Sequence, residues 1–156
     1  MSRNQQIIKV MADTVDKTGA KIIIKHTSEI GWTPVLTFFM KNYTELIENG
    51  LGHPVFTANN SSSAIYAEID GKVVGHILYN ILDDQIKTAW IILSAVDKDY
   101  RQRGIYNLMH TQFEKVIKAA GSKKISSHVH VNNVARQASC ESVGMKKVWY
   151  KMEKDI

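Results

Sequence analysis

The residues best equipped for chemistry are Arg101-Gln102-Arg103-Gly104-Ile105-Tyr106, a basic stretch with one glycine between an apolar run and an amphipathic one. Before it, Ala89 to Val96 is almost uninterruptedly apolar and predicts a buried central strand. After it, Ile105, Leu108, Met109, Phe113, Val116 and Ile117 recur mostly at helical spacing, predicting a helix to about Ala120 that stops at Gly121. A helix that begins inside such a turn presents backbone N–H groups without intrahelical partners, and the positive end of its dipole, to whatever occupies the turn. Gly104 lets the backbone approach a bulky anion, and Arg101 and Arg103 add mobile positive charge. The chemistry this predicts is the seating of a phosphate group.

A second group of reactive side chains lies downstream, with His128 and His130 followed by Asn133 and Cys140. Cys140 is the chain's one cysteine, which excludes an intrachain disulfide framework and a cysteine-based metal cluster. His128 and His130 fall on one face if residues 124–131 form a strand. His26, His53, His76 and His110 show no metal-ligand spacing, and the sequence predicts no metal. Trp32, Trp90 and Trp149 read as core or rim packing rather than a stacking platform.

These groups need a frame. Ile7, Val10, Met11 and Val15 recur at helical spacing and predict a leading helix ending near Thr18-Gly19. Residues 20–26 read as a first strand, and a helix follows from Pro34 to about Asn49, with Thr33 as N-cap and Gly50 past its end. Residues 51–63, dense in Gly, Pro, Asn and Ser, predict a surface loop. Asp70-Gly71 between strand-like runs at 64–69 and 72–79 predicts a tight hairpin. Strands at 87–96 and 124–131, a helix from Asn133 to about Val143 and a last strand from Met145 to Met152 complete one α/β domain spanning residues 1–156.

The segment from Ala95 to Ile105 resembles, almost position for position, the acetyl-CoA motif of the GCN5-related N-acetyltransferase (GNAT) family. That motif is a strand, a short acidic-aromatic loop, then Arg/Gln-x-x-Gly-x-Gly/Ala opening a helix. Tyr106 departs from it, standing where a small residue is usual. Residues from Ser127 through Asn133 to Gly144-Met145 resemble the family's second motif, in which a strand ends in Asn and a short helix leads to Gly-Phe.

The resemblance implies a mixed sheet splayed open between its fourth and fifth predicted strands, 87–96 and 124–131. It implies acetyl-CoA as acyl donor, with Ser94, Ala95 and Val96 offering backbone groups to the pantetheine arm. Arg101, Gln102, Arg103, Gly104, Ile105 and Tyr106 would hold the pyrophosphate, and Asn133 would meet the pantetheine side. Many relatives carry a tyrosine acid on the second-motif helix, and Cys140 stands at that position. Where some relatives place a base carboxylate, this chain has His128, an imidazole whose unperturbed pKa of about 6.5 suits proton removal at neutral pH. Glu68 and Asp70 are further candidates, and residues 87–96 contain no Glu or Asp.

The implied activity is direct transfer of acetyl to a primary amine on a small molecule or peptide, with residues 28–63 on the acceptor side. A CoA-binding protein with weak or no catalysis and a basic nucleic-acid-binding domain stay open as alternatives, and so does a homodimer. The formal charge of +5 and isoelectric point near 9.3 suit a polyanionic donor, and the basic residues are spread along the chain, which argues against a nucleic-acid surface. The 156 residues, 44% apolar and 22% charged, are ordinary for one soluble domain. No apolar run nears the roughly 20 residues that span a bilayer, and the first residues lack a secretory pattern, so a cytoplasmic location is expected.

Overall fold

The computed structural model of the chain describes residues 8–31, 33–52 and 61–156. Six strands form one sheet in sequential order: β1 (Ile8–Val15), β2 (Lys21–Thr27), β3 (Ser63–Ile69), β4 (Lys72–Ile81), β5 (Ala89–Val96) and β6 (Ile125–Ser127). Neighbours are antiparallel except β5 and β6, which run parallel. A parallel pair needs a crossover, and helix α2 (Ile105–Ala119) supplies it. Helix α1 (Pro34–Glu48) joins β2 to β3, and α3 (Val134–Ser142) follows β6. The result is the mixed α/β architecture that the element order predicts.

Both faces of the sheet are covered. On one, Ile105, Met109, Phe113 and Ile117 of α2 pack on Ile22, Ile65, Ile77 and Ile91. On the other, Val35, Phe38 and Phe39 of α1 pack with Ala64, Tyr66 and Leu78. Alternation along β3 sends Ile65 and Ala67 to the first cluster and Ala64 and Tyr66 to the second. Each buried Ile or Phe contributes about 1.5–3 kcal/mol, so the α2 stripe fixes where that helix begins. The β3–β4 hairpin turns on Asp70 (φ 50°) and Gly71 (φ 74°), both left-handed as a two-residue hairpin loop requires.

Three predicted elements differ. Residues 8–15 form β1, not a helix. A bulge between Val10 and Ala12 shifts its register on β2, so Met11 and Ala12 both turn to the α2-side core while Ile8 turns to the α1 side. Val10 and Val15, counted to the apolar face of the predicted helix, are exposed. The strand predicted at 124–131 is only three residues long, Ile125–Ser127, so His128 and His130 lie beyond it and owe no shared face to strand alternation. Met145–Met152 forms no strand; Val148, Trp149, Tyr150 and Met152 are exposed and the segment has no ladder partner. Trp32, His53 and most of the predicted loop at 51–63 lie outside the described residues.

Candidate functional site

The sheet opens beside β5. Pairing with β6 covers only Ala89, Trp90 and Ile91, and beyond Ile91 that side of β5 has no strand neighbour among the described residues. The cause lies in β5 itself. Leu78 faces Leu93 and Tyr79 faces Ile91, so Ile92 is an extra residue, a bulge that bends the strand where β6 departs. Past the bulge the Asp97 N–H donates to Val74 O of β4 at 2.8 Å. By alternation the backbone groups of Ala95 and Leu93 also face β4, and those of Ser94 and Val96 face the gap. The Val96 carbonyl there accepts from Arg101 Nε at 3.1 Å.

At the mouth of the gap is the turn. A short 3-10 helix, Lys98–Tyr100, is capped by Asp97, whose carboxylate accepts from the Asp99 N–H at 3.1 Å. Gln102 (φ 61°) and Gly104 (φ 77°) are left-handed and swing the chain into α2. A side chain at Gly104 would be strained in that conformation, and its Cβ would stand 3.0 Å from Lys17 Cε. Among the described residues, the N–H groups of 102–107 have no protein partner; the first helical bond is Leu108 N–H to Gly104 O. They converge where the α2 dipole is positive.

The two arginines of the turn brace it. Arg103 lies over the Tyr100 ring at 4.8 Å, reaches Asp16 at 3.5 Å and bonds the Asp99 carbonyl at 3.4 Å. The Asp16 carboxyl is held below its usual range, chiefly by the Thr18 hydroxyl, with backbone N–H groups and Arg103 adding to it against burial. The Arg103 carbonyl accepts from the Lys17 N–H at 3.0 Å, tying the β1–β2 connection to the turn. An open groove of about 310 Å³ runs here between Val15–Lys17 and the residues Gly104, Asn107, Leu108 and Thr111.

Across the gap stands α3. Asn133 caps it, its side-chain oxygen accepting from the Arg136 N–H at 3.1 Å. Arg136 Nη1 donates to the Tyr106 phenol oxygen at 2.9 Å, with the guanidinium 5.2 Å from the ring centre. Burial raises the Tyr106 phenol above its ordinary pKa; Arg136 opposes this, Cys140 adds to it, and Ser94 weakly opposes it. Cys140 is buried, and its thiol is pushed up by that burial, with Arg136 opposing and Glu141 adding. His110, one turn along α2 from Tyr106, sits 3.4 Å from Glu114. Burial holds its imidazole below the ordinary value, Glu114 pulling upward and Arg136 downward.

A family model described as the acetyltransferase (GNAT) family matches residues 32–145. The chain belongs to the GNAT family. It is therefore an acyltransferase. Among solved structures, an aminoglycoside acetyltransferase from an uncultured soil metagenomic sample, in complex with trehalose, is similar with a TM-score of 0.62 at 14% identity, covering 86% of this chain and 97% of that one. A possible acetyltransferase from Clostridium difficile 630 gives 0.60 at 21%, with the same coverage of 86% and 97%. An aminoglycoside N-acetyltransferase of type AAC(6')-Iy in complex with CoA gives 0.57 at 14%, covering 84% and 99%. No curated protein sequence matches the chain.

Within this GNAT fold Ser94, Ala95 and Val96 lie on the half of β5 beyond the β6 pairing and Arg101 to Tyr106 at its end, while α3, capped by Asn133 and carrying Cys140, is tied to Tyr106 through Arg136. His128 is elsewhere. Its ring meets Trp90 edge-on at 4.7 Å, beside the last β5–β6 pair. Ile91 belongs to the α2-side core, so Trp90 and His128 lie toward the α1 face, while Tyr106 and Cys140 lie on the other. Glu68 is engaged by Lys25 at 2.8 Å, and Asp70 serves the hairpin. Sequence reasoning missed Arg136; a lone arginine three residues after Asn133 was its only signal. Among the described residues no cluster of three or more His, Cys, Asp or Glu could hold a metal, and no helix is long and apolar enough to cross a membrane.

Proposed function

We propose that this GNAT protein uses acetyl-CoA to acetylate a primary amine by direct transfer. The observation that carries the proposal is the row of unpartnered N–H groups at residues 102–107, set at the end of a strand whose β6-side edge has no strand neighbour beyond Ile91 among the described residues. Such a row suits a pyrophosphate, and an amide-bearing pantetheine arm suits the open side of Ser94 and Val96, where it would add to the sheet like a strand. The thioester then falls near the bulge at Ile92, where a gap-facing backbone N–H can stabilise developing negative charge on the carbonyl oxygen.

In the reaction the amine nitrogen bonds to the acetyl carbon and the carbon–sulfur bond breaks. The amine loses one proton, which we assign to His128 because it stands beside the last β5–β6 pair, where the gap begins, on the face opposite Cys140; the departing thiolate takes one from Cys140 on α3. His128 and Cys140 then recover their starting states through solvent. Burial keeps the Cys140 thiol protonated at neutral pH, which an acid requires. The likeness to aminoglycoside acetyltransferases makes amine-rich sugars one acceptor class to try.

The test is calorimetric titration of the protein with acetyl-CoA, then release of free thiol in the presence of an aminoglycoside, a polyamine and a lysine peptide. Binding with thiol release for at least one amine is expected. Replacing Gly104 by Glu should abolish binding measured well below the melting temperature, which the strained left-handed backbone there should lower by several degrees. Failure of the wild-type protein to bind acetyl-CoA would overturn the proposal, and binding without turnover on any amine would reduce it to a CoA-binding protein.

A further inference from the structure

Arg136 has an environment that the donor site as described does not explain. One guanidinium nitrogen is committed to the Tyr106 phenol, while the other, Nη2, is buried and has no hydrogen-bond partner. None of the ion pairs among the described residues includes Arg136. The groups around the guanidinium are a phenol and an imidazole from α2 and a thiol from α3, with the Ser94 hydroxyl of β5 close to the same phenol. Glu114 and Glu141 act on the same imidazole and thiol but neither pairs with the half-buried guanidinium, and an arginine fork with an unused donor is shaped to take a phosphate.

We infer that Arg136 is an anion ligand of the donor site, closing on the phosphate seated at the turn from the α3 side, and that Tyr106 is the residue that positions it. This rests on the CoA reading proposed above. Tyr106 is the second residue of α2, so the guanidinium bonded to its phenol is tied to the first turn of that helix. The turn and α3 then grip one anion from two sides, by backbone dipoles and by a formal charge. The bulk of Tyr106, at a position where the family motif has a small residue, acquires a role: it aims the guanidinium. Arg101 and Arg103 do not substitute, because both brace the turn itself.

The experiment compares wild type with Arg136→Gln, Arg136→Lys and Tyr106→Phe by calorimetry against CoA, 4′-phosphopantetheine, pantetheine and inorganic pyrophosphate. Arg136→Gln should weaken CoA by about 10- to 100-fold, the range of a lost charge-assisted contact, and leave pantetheine within about twofold. Its CoA affinity should also depend less steeply on salt. Arg136→Lys should recover part of the loss, and Tyr106→Phe should weaken CoA by about 3- to 10-fold. Selective loss of CoA over pantetheine is the outcome that a merely structural arginine would not give.

CoA affinity unchanged or tightened by Arg136→Gln, or equal loss of CoA and pantetheine, would overturn the inference while leaving the proposed function intact. Wild-type binding of pyrophosphate that Arg136→Gln weakens, without any binding of CoA, would uphold the anion ligand and remove the donor assignment. Binding of neither by the wild type would remove both.

Discussion

His76 is wholly buried beneath α1, its ring edge-on to Phe38 at 5.2 Å, and neither ring nitrogen has a hydrogen-bond partner. Burial pushes its pKa down to about 4, so the folded protein holds it neutral. Between pH 6.5 and about 4 the unfolded chain binds a proton here and the folded chain does not. Stability therefore falls as pH drops through that window, by about 3 kcal/mol at its acid end. His26 and His110, also held down by burial, act in the same direction. Urea denaturation at pH 7 and pH 5 should reveal the loss, and His76→Leu should shrink the difference and raise stability at pH 7 by about 1–2 kcal/mol, the cost of an unsatisfied buried polar group. An unaltered pH difference in that variant would assign the loss elsewhere. His76 and Arg136 share a reason for being illegible in sequence: each is defined by partners it lacks, a property of the folded interior. The turn at 101–106 was legible because its chemistry is local, a glycine and a helix start.

Among the elements, those whose pattern is set by the chain itself were read correctly: α1, the Asp70-Gly71 hairpin, β5 and α2 agree with prediction to within a few residues. The departures come from pairing. The bulge in β1 breaks the period-two alternation that marks a strand, and the expected last strand lacks a neighbour long enough to extend a ladder. The wedge between β5 and β6 also depended on pairing and was anticipated only through the family resemblance. Helix α3 has just nine residues and leans on its cap. Asn133→Ala removes the side-chain acceptor for the Arg136 N–H and should cost about 1 kcal/mol in chemical denaturation. Because the same cap sets the start of the helix that carries Arg136, it should also weaken CoA by several-fold. Full retention of both properties would show that the cap is dispensable.

At the scale of the molecule, the sheet divides into a broad part and a narrow one. Strands β2 to β5 are paired along most of their lengths and sandwiched between α1 and α2, whereas β6 is joined through three residues. Amide hydrogen exchange should respect that division, with residues 125–127 and 134–142 exchanging well before the cores of β3 and β4. Uniform protection would contradict it. The +5 charge, spread over the surface, gives the molecule a field that favours an anionic donor without marking where it goes.

The short β5–β6 ladder carries a thermodynamic corollary. A wall fastened through three residue pairs contributes little to its own cohesion, so a molecule wedged between it and β5 would act as mortar, joining the two halves of the sheet that the bulge drives apart. Occupancy would then register as heat resistance: a ligand at about 100 times its dissociation constant adds about 2.7 kcal/mol to a folded protein. Melting curves recorded across a library of acyl thioesters and nucleotides would rank donors without any knowledge of the acceptor, and the acetyl thioester of CoA is expected to raise the melting temperature more than acetyl-pantetheine.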